Sequence, residues 1–274
     1  MFARLLVLAT AVAMPVVAWL SQRGVFGPDP GTLARESPTL LVAANYAFGI
    51  WGIIFMLAMV FAVWQNGGRR RADPGLAAVR PWLVVGYLAT TVWMIVFAQR
   101  WYWLALAVIW VALTALLGAL LRSVAERPTV PLRTGFGARE LLGMIEPTAV
   151  GHWLPRWSLA LHTGWLSLAA FLNTAQVVVA ERLLRDLPML PWSLLLWLGA
   201  ALLLLAVNHR VDGEPGYWLA AAWGLVAVVV EQSASELPGA SASAVTAAVV
   251  ATLLLAQTAW LRIRAAGTVA RAPA

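Results

Sequence analysis

The chain has no cysteine, which excludes disulfides, thiolate metal sites and cysteine nucleophiles together. Lysine is missing too, and all 19 basic residues are arginine; with so much alanine, this reads as a compositional bias of the source genome and carries no mechanism. Charged residues make up only 11% of the 274 positions against 62% hydrophobic, too little charge to cover a soluble globule. Histidine is scarce: His152, His162 and His209 lie on separate segments without metal-ligand spacing. No glycine-rich phosphate loop is present, and no paired carboxylates fall within a predicted helix. Ser167 lacks a base on its own helical face, because His162 stands five residues away and off that face.

What the chain does have is long apolar runs, each near the roughly 20 residues that a spanning helix needs. They are continuous and do not alternate, so helices follow and a barrel does not. The fold class is all-α, a polytopic integral membrane helical bundle of about eight transmembrane helices. The segments run over about residues 2–20, 40–65, 81–99, 101–121, 157–180, 191–208, 217–231 and 241–263. The first resembles a signal peptide in having Arg4 before an apolar run, but no small-residue cleavage site precedes Ser21-Gln22-Arg23. It is expected to be a retained helix, adjusted at Pro15. Residues 21–40 form a polar loop rich in glycine and proline. Arg100 alone separates segments three and four, which predicts a tight helical hairpin. In the long connection 122–156, Leu141, Leu142 and Ile145 share one face, so a short interfacial helix over 138–145 competes with an ordinary solvated loop.

The net charge of +7 is explained by topology rather than by nucleic acid, which is not expected as a partner. Eight helices put both termini on one side. A cytoplasmic amino terminus places 14 of the 19 arginines inside, led by Arg69-Arg70-Arg71, and leaves Arg23, Arg35, Arg100, Arg182 and Arg185 outside. The chain is therefore expected in the cell membrane, multi-pass, with both termini cytoplasmic and the lipid bilayer as its first partner.

Most of the 16 tryptophans fall near segment ends, where an amphipathic ring is at home. Trp51, Trp93, Trp110 and Trp165 fall deep inside, where an indole N–H needs a partner or a ligand. On segment five, His162, Trp165, Ala169, Asn173 and Gln176 form one helical stripe that should face the bundle. Packing glue between helices would account for Asn173 and Gln176 equally well. On segment two, Asn45, Gly49, Gly52 and Met56 make a stripe suited to close backbone approach, with Trp51 and Phe55 on the adjacent face. Glu231 reads as an interfacial carboxylate rather than a proton relay.

Three of these segments carry a resemblance. Phe48-Gly49-Ile50-Trp51-Gly52-Ile53-Ile54-Phe55, continuing to Trp64, resembles the second-helix signature F-G-P-V-W-T-L-L-Y of the tryptophan-rich sensory protein and translocator protein (peripheral benzodiazepine receptor) family. Leu88 to Phe97 is similar to its third-helix pattern L-A-L-N-x-x-W-S-x-x-F-F, and Gly164 to Asn173 to its fifth-helix pattern W-V-S-F-A-T-A-L-N. The departures are specific. The proline before Trp51 is missing with one residue fewer, Phe55 replaces a tyrosine, Thr91 an asparagine and Met94 a serine.

The resemblance implies a five-helix bundle over residues 1–180, leaving 181–274 as a three-helix extension outside it. It also implies a pocket for a flat hydrophobic small molecule, a porphyrin, haem or sterol-like ligand, with no cofactor required, and a homodimer. The ligand-binding candidates are Asn45, Phe48, Trp51, Phe55, Trp93, His162, Trp165 and Asn173, with no catalytic or metal residues. A membrane enzyme acting on a lipid or isoprenoid, and a small-molecule secondary transporter, are the competing classes. The first would need carboxylates or histidines gathered at one interface. The second would need an internal repeat, and the Phe48 to Trp64 pattern has no counterpart in the second half. A topology reporter fused after Ala274 is expected to be active in the cytoplasm; activity confined to the periplasm would reverse the orientation.

Overall fold

The computed structural model describes residues 2–125 and 147–270. Within them lie α1 (Phe2–Gln22), α2 (Pro30–Glu36), α3 (Ile50–Trp64), α4 (Pro74–Ala98), α5 (Tyr102–Ala125), α6 (Pro147–Ala180), α7 (Met189–Arg210), α8 (Pro215–Ala234) and α9 (Ala240–Ala270). Short 3-10 turns, Asn45–Gly49 and Gly68–Ala72, precede α3 and α4. Eight helical spans among the described residues are long and apolar enough to cross a membrane. The expected interfacial helix at 138–145 lies outside the described residues.

Local chemistry sets the helix boundaries. Asp29 and Asp73 cap α2 and α4 by accepting from backbone N–H groups of the first turn, each followed by a proline at the first helical position. Pro15 sits inside α1 without ending it. The α4–α5 connection is as tight as expected: Arg100 takes a left-handed φ of 58° and reaches Glu36 at the end of α2 with two bonds of 2.7 and 2.9 Å.

One boundary differs from expectation. Segment two was predicted to be helical from Leu40, yet residues 37–44 are extended and the α-helix starts at Ile50. Pro38 has no N–H to give a helix and disfavours helical geometry at Ser37. Thr39 then takes the Leu41 N–H on its own hydroxyl at 3.1 Å. A buried apolar extended run cannot be told from a helix by periodicity, and Leu40 and Leu41 are fully buried here. We call residues 37–49 the strap.

Five helices close a ring: α1 packs on α4, α4 on α5, α5 on α6, α6 on α3, and α3 back on α1. The other three stack outside it, α8 and α7 against α6, and α9 against α8 and α7. Glycines let α8 press on α6. A Cβ at Gly164 would collide with the Tyr217 carbonyl oxygen, while one at Gly216 would come within 3.2 Å of the Trp157 carbonyl. The sequence assigned close approach to Gly49 and Gly52 instead, but that stripe faces outward. Nothing lies within 4 Å of a Cβ at either position, and Met56 is 52% exposed.

Arginine and tryptophan meet at the helix ends. Arg23 lies over Trp19 at 4.2 Å, Arg70 over Trp64 at 4.4 Å, Arg122 over Trp82 at 4.3 Å and Arg264 over Trp260 at 4.5 Å. Such pairs suit the interfacial layer, where the ring is half in lipid and the cation in water.

The helix contacts yield a stability contrast. Gly164→Ala is expected to cost about 1–3 kcal/mol, because backbone must move, whereas Gly49→Ala should stay within about 0.5 kcal/mol. Thermal unfolding of both variants in one detergent checks this. Equal melting temperatures would show that α6 and α8 are not held at the observed distance.

Candidate functional site

The aromatic residues picked out by depth gather at one end of the ring, where the strap enters. Trp51, on the first turn of α3, is the hub. Its ring stacks on Phe55 at 5.3 Å, meets Trp93 of α4 at 6.4 Å, and stands edge-on to Trp165 at 6.1 Å and His162 at 5.7 Å, both on α6. Phe48, on the 3-10 turn, meets Trp165 edge-on at 6.3 Å. Behind Trp165, Gly224 of α8 lets a helix backbone approach its ring.

Three recesses meet at Phe48. The largest, about 300 Å³, is a cleft lined by Ser21, Gln22, Asp29, Asn45, Trp51 and Trp93 among others. The second is a tight slot of about 30 Å³ between Phe48, Trp51, Trp93, Trp165, Asn173 and Gln176. Room of that size holds no more than a water molecule or two. The third, about 180 Å³, lies on the other side of the strap between Arg35, Asn45, Phe48 and Glu231.

Six of the eight sequence candidates therefore line these recesses: Asn45, Phe48, Trp51, Trp93, Trp165 and Asn173. Phe55 and His162 do not; they support Trp51 from behind. Thr90 donates its hydroxyl proton to the Gly86 carbonyl at 2.8 Å, so the 3.3 Å contact with His162 Nε2 has the ring nitrogen as donor. That fixes the tautomer and leaves Nδ1 as an acceptor with no partner among the described residues. Tyr87 stacks on the same imidazole at 5.9 Å.

The slot is short of hydrogen bonds. Asn173 is 2% exposed, and neither its amide nitrogen nor its oxygen has a partner among the described residues; the Nε1 groups of Trp93 and Trp165 have none either. Each such group forfeits about 1–3 kcal/mol of hydrogen bonding it had in water. Trp110, the fourth deep tryptophan, is different: it donates to Thr174 at 3.4 Å and lines none of the three recesses.

Polar groups edge the cleft. Burial works to raise the Asp29 pKa, but hydrogen bonds from the Thr32 hydroxyl and the Thr32 and Gly31 N–H groups, with Arg35 nearby, outweigh it and hold the carboxyl below its ordinary value. Its capping bonds are thus fully in place above the ordinary carboxylate range and are lost as pH falls through the lowered value. Glu231, expected at an interface, is half-buried in the third recess with Arg35. Among the described residues, no three His, Asp or Glu side chains converge on a metal-sized site.

The residues that sequence reasoning missed belong to the strap and its neighbours. Val42 and Ala43 line the slot, and Asp29 and Gly31 line the cleft. Asp29 was readable only as loop, and Val42 and Ala43 only as part of a helix. Gly31 is required where it is, because the Asn45 side-chain oxygen occupies the space a Cβ would fill.

Comparison with known proteins follows the same lines. The family profile described as TSPO-like protein matches residues 4–260. No curated protein and no solved structure matches the chain. The matched span runs through α7, α8 and most of α9, so the three helices that the resemblance left outside fall within it. With nearly the whole length covered and a helical membrane bundle observed, the chain belongs to the TSPO-like protein family.

Proposed function

We propose that this protein binds a flat hydrophobic molecule, tetrapyrrole or sterol-like, against the aromatic surface formed by Phe48, Trp51, Trp93 and Trp165, for sensing or transport. The observation that carries the reading is the buried Asn173 amide, unpartnered beside two unpartnered indole N–H groups in an aromatic slot. A packed core has no reason to keep three such groups; a ligand with hydrogen-bonding atoms on its edge gives them one. The 300 Å³ cleft sits at the lower end of the roughly 300–1,000 Å³ of small-molecule sites. The ligand body belongs there, against Trp51 and Trp93, with an edge directed at the slot.

Charge narrows the chemistry. Asp29 puts a carboxylate on the rim of the cleft, while the cationic Arg35 lies across the strap. A neutral or hydrogen-bond-donating edge suits the first and a ligand carboxylate suits the second. In this reading residues 1–180 hold the site and 181–274 flank it. Both termini are cytoplasmic, so the cleft opens toward the outer face.

Purified protein titrated with protoporphyrin IX is expected to show saturable quenching of tryptophan fluorescence. Trp51→Ala, Trp165→Ala and Asn173→Ala should each weaken binding by roughly tenfold or more. Affinities unchanged in all three would sink the site. Asn173→Leu has a second expected outcome: the ligand-free protein gains about 1–3 kcal/mol of stability, since the unpaired amide is removed, while it loses affinity. A fall in melting temperature for that variant would mean that the amide is satisfied in the free protein.

A further inference from the structure

Three helices lie outside the ring, and a pocket walled by the ring alone gives them nothing to do. Their polar side chains nevertheless converge on one stretch of backbone. Trp223 of α8 donates from Nε1 to the Ala47 carbonyl at 3.0 Å, and Gln232 of α8 donates from Nε2 to the Thr39 carbonyl at 3.0 Å. Ser243, on the first turn of α9, donates its hydroxyl to the Leu40 carbonyl. That hydroxyl is itself held by Trp197 of α7, whose Nε1 donates to it at 2.8 Å. The Ala44 N–H completes the set on the Ala227 carbonyl at 3.0 Å. Each outer helix takes part, and every bond ends between residues 39 and 47.

These bonds meet a specific need. Extended backbone carries unpaired N–H and C=O groups, and within a bundle that crosses a bilayer it is tolerated only where protein satisfies them. Ala227 lies about two turns inside α8, so the strap runs level with helix interior and not over its end. The donors are committed: Trp197, Gln232 and Ser243 are 1% exposed or less, and each spends its N–H or O–H within this set. The same stretch is the pocket wall. Val42 and Ala43 line the slot and the third recess, Asn45 lines the cleft and the third recess, and Phe48, the next residue but one after Tyr46, borders all three. Tyr46 itself packs edge-on against Trp223 at 5.3 Å.

We infer that α7, α8 and α9 are the anchor of the pocket wall, and that Trp223, Gln232 and Ser243 are positioning residues for the ligand site. The anchoring stands on backbone geometry alone; the positioning role rests on the ligand-binding reading. A wall ordered before the ligand arrives spares the ligand the cost of ordering it. Loosening the wall should therefore act mainly on dissociation and much less on association.

The test uses the full-length chain in detergent, as Trp223→Phe, Gln232→Met, Ser243→Ala and the Trp223→Phe/Gln232→Met double variant. The phenylalanine keeps a ring against Tyr46, and the methionine keeps the length of the glutamine. Hydrogen–deuterium exchange of residues 39–47 is measured without ligand, with α4 and α5 as the check on folding. Dissociation and association of protoporphyrin IX are followed by tryptophan fluorescence. The double variant is expected to exchange about tenfold faster in 39–47 with α4 and α5 unchanged, and to release porphyrin about tenfold faster with association within about twofold. Unchanged exchange in the strap would overturn the anchor. Faster exchange with unchanged dissociation would overturn the positioning role. If α4 and α5 also lose protection in the double variant, the single variants decide by the same criteria. A parent protein that binds no porphyrin would sink the porphyrin form of the function reading and with it the positioning role, while exchange still decides the anchor.

Discussion

The structure depends on how a stretch of extended backbone is satisfied inside a helical membrane bundle. A helix answers its own N–H and C=O groups, so a ring of five helices can close with apolar contacts alone. Residues 37–44 are not helical and cannot answer theirs. The Leu41 N–H is met locally by Thr39, but the carbonyls of Thr39, Leu40 and Ala47 and the N–H of Ala44 turn outward from the ring. What meets them is α8 and α9, with α7 one bond behind. The position of three helices thus follows from the conformation of one short segment.

Hydrogen-bond satisfaction is unevenly spread, and the contrast is informative. Around the strap, donors as different as an indole, an amide and a hydroxyl each find a carbonyl. A few ångströms away, in the slot bounded by the same strap, the Asn173 amide and the indoles of Trp93 and Trp165 find nothing. Both sets are buried, so burial alone does not explain the difference. A chain that arranges partners for a buried serine has the means to arrange them for a buried asparagine. The unanswered groups mark the place where something other than the chain is meant to sit.

How much of this was legible in the sequence varies by element. The eight spans were, because apolar length is a one-dimensional property, and the family was, from motifs around Trp51, Trp93 and Trp165 that also form the aromatic hub. The stripe from His162 to Gln176 was legible because a 3.6-residue period survives in the order of letters. The strap was not: Leu40-Leu41-Val42-Ala43-Ala44 is as apolar as a helix and lacks a period of its own. Gly49 and Gly52 misled, since a small-residue stripe says which face can be approached and not whether anything approaches it. Trp197, Trp223, Gln232 and Ser243 gave no signal, because each acts on a backbone atom about 150 to 200 residues away and a backbone atom has no letter.

Magnitudes decide what kind of element the strap is. Ordering each of its residues costs about 1–2 kcal/mol of backbone entropy, while each side-chain bond to it returns only about 0.5–1.5 kcal/mol net. The bonds alone cannot hold it. Fully buried Leu40 and Leu41 contribute about 1.5–3 kcal/mol each, and Leu33 on α2 is buried beside them in the same core. Apolar burial therefore keeps the strap in the bundle, and the hydrogen bonds select its register. That division leaves the wall fixed in place at its leucines, yet adjustable around Val42, Asn45 and Phe48, the residues that face the recesses. A slot with room for little more than water in its present form is compatible with a ligand only if this part of the wall yields by a small amount. The weaker of its two restraints is the one that faces the site.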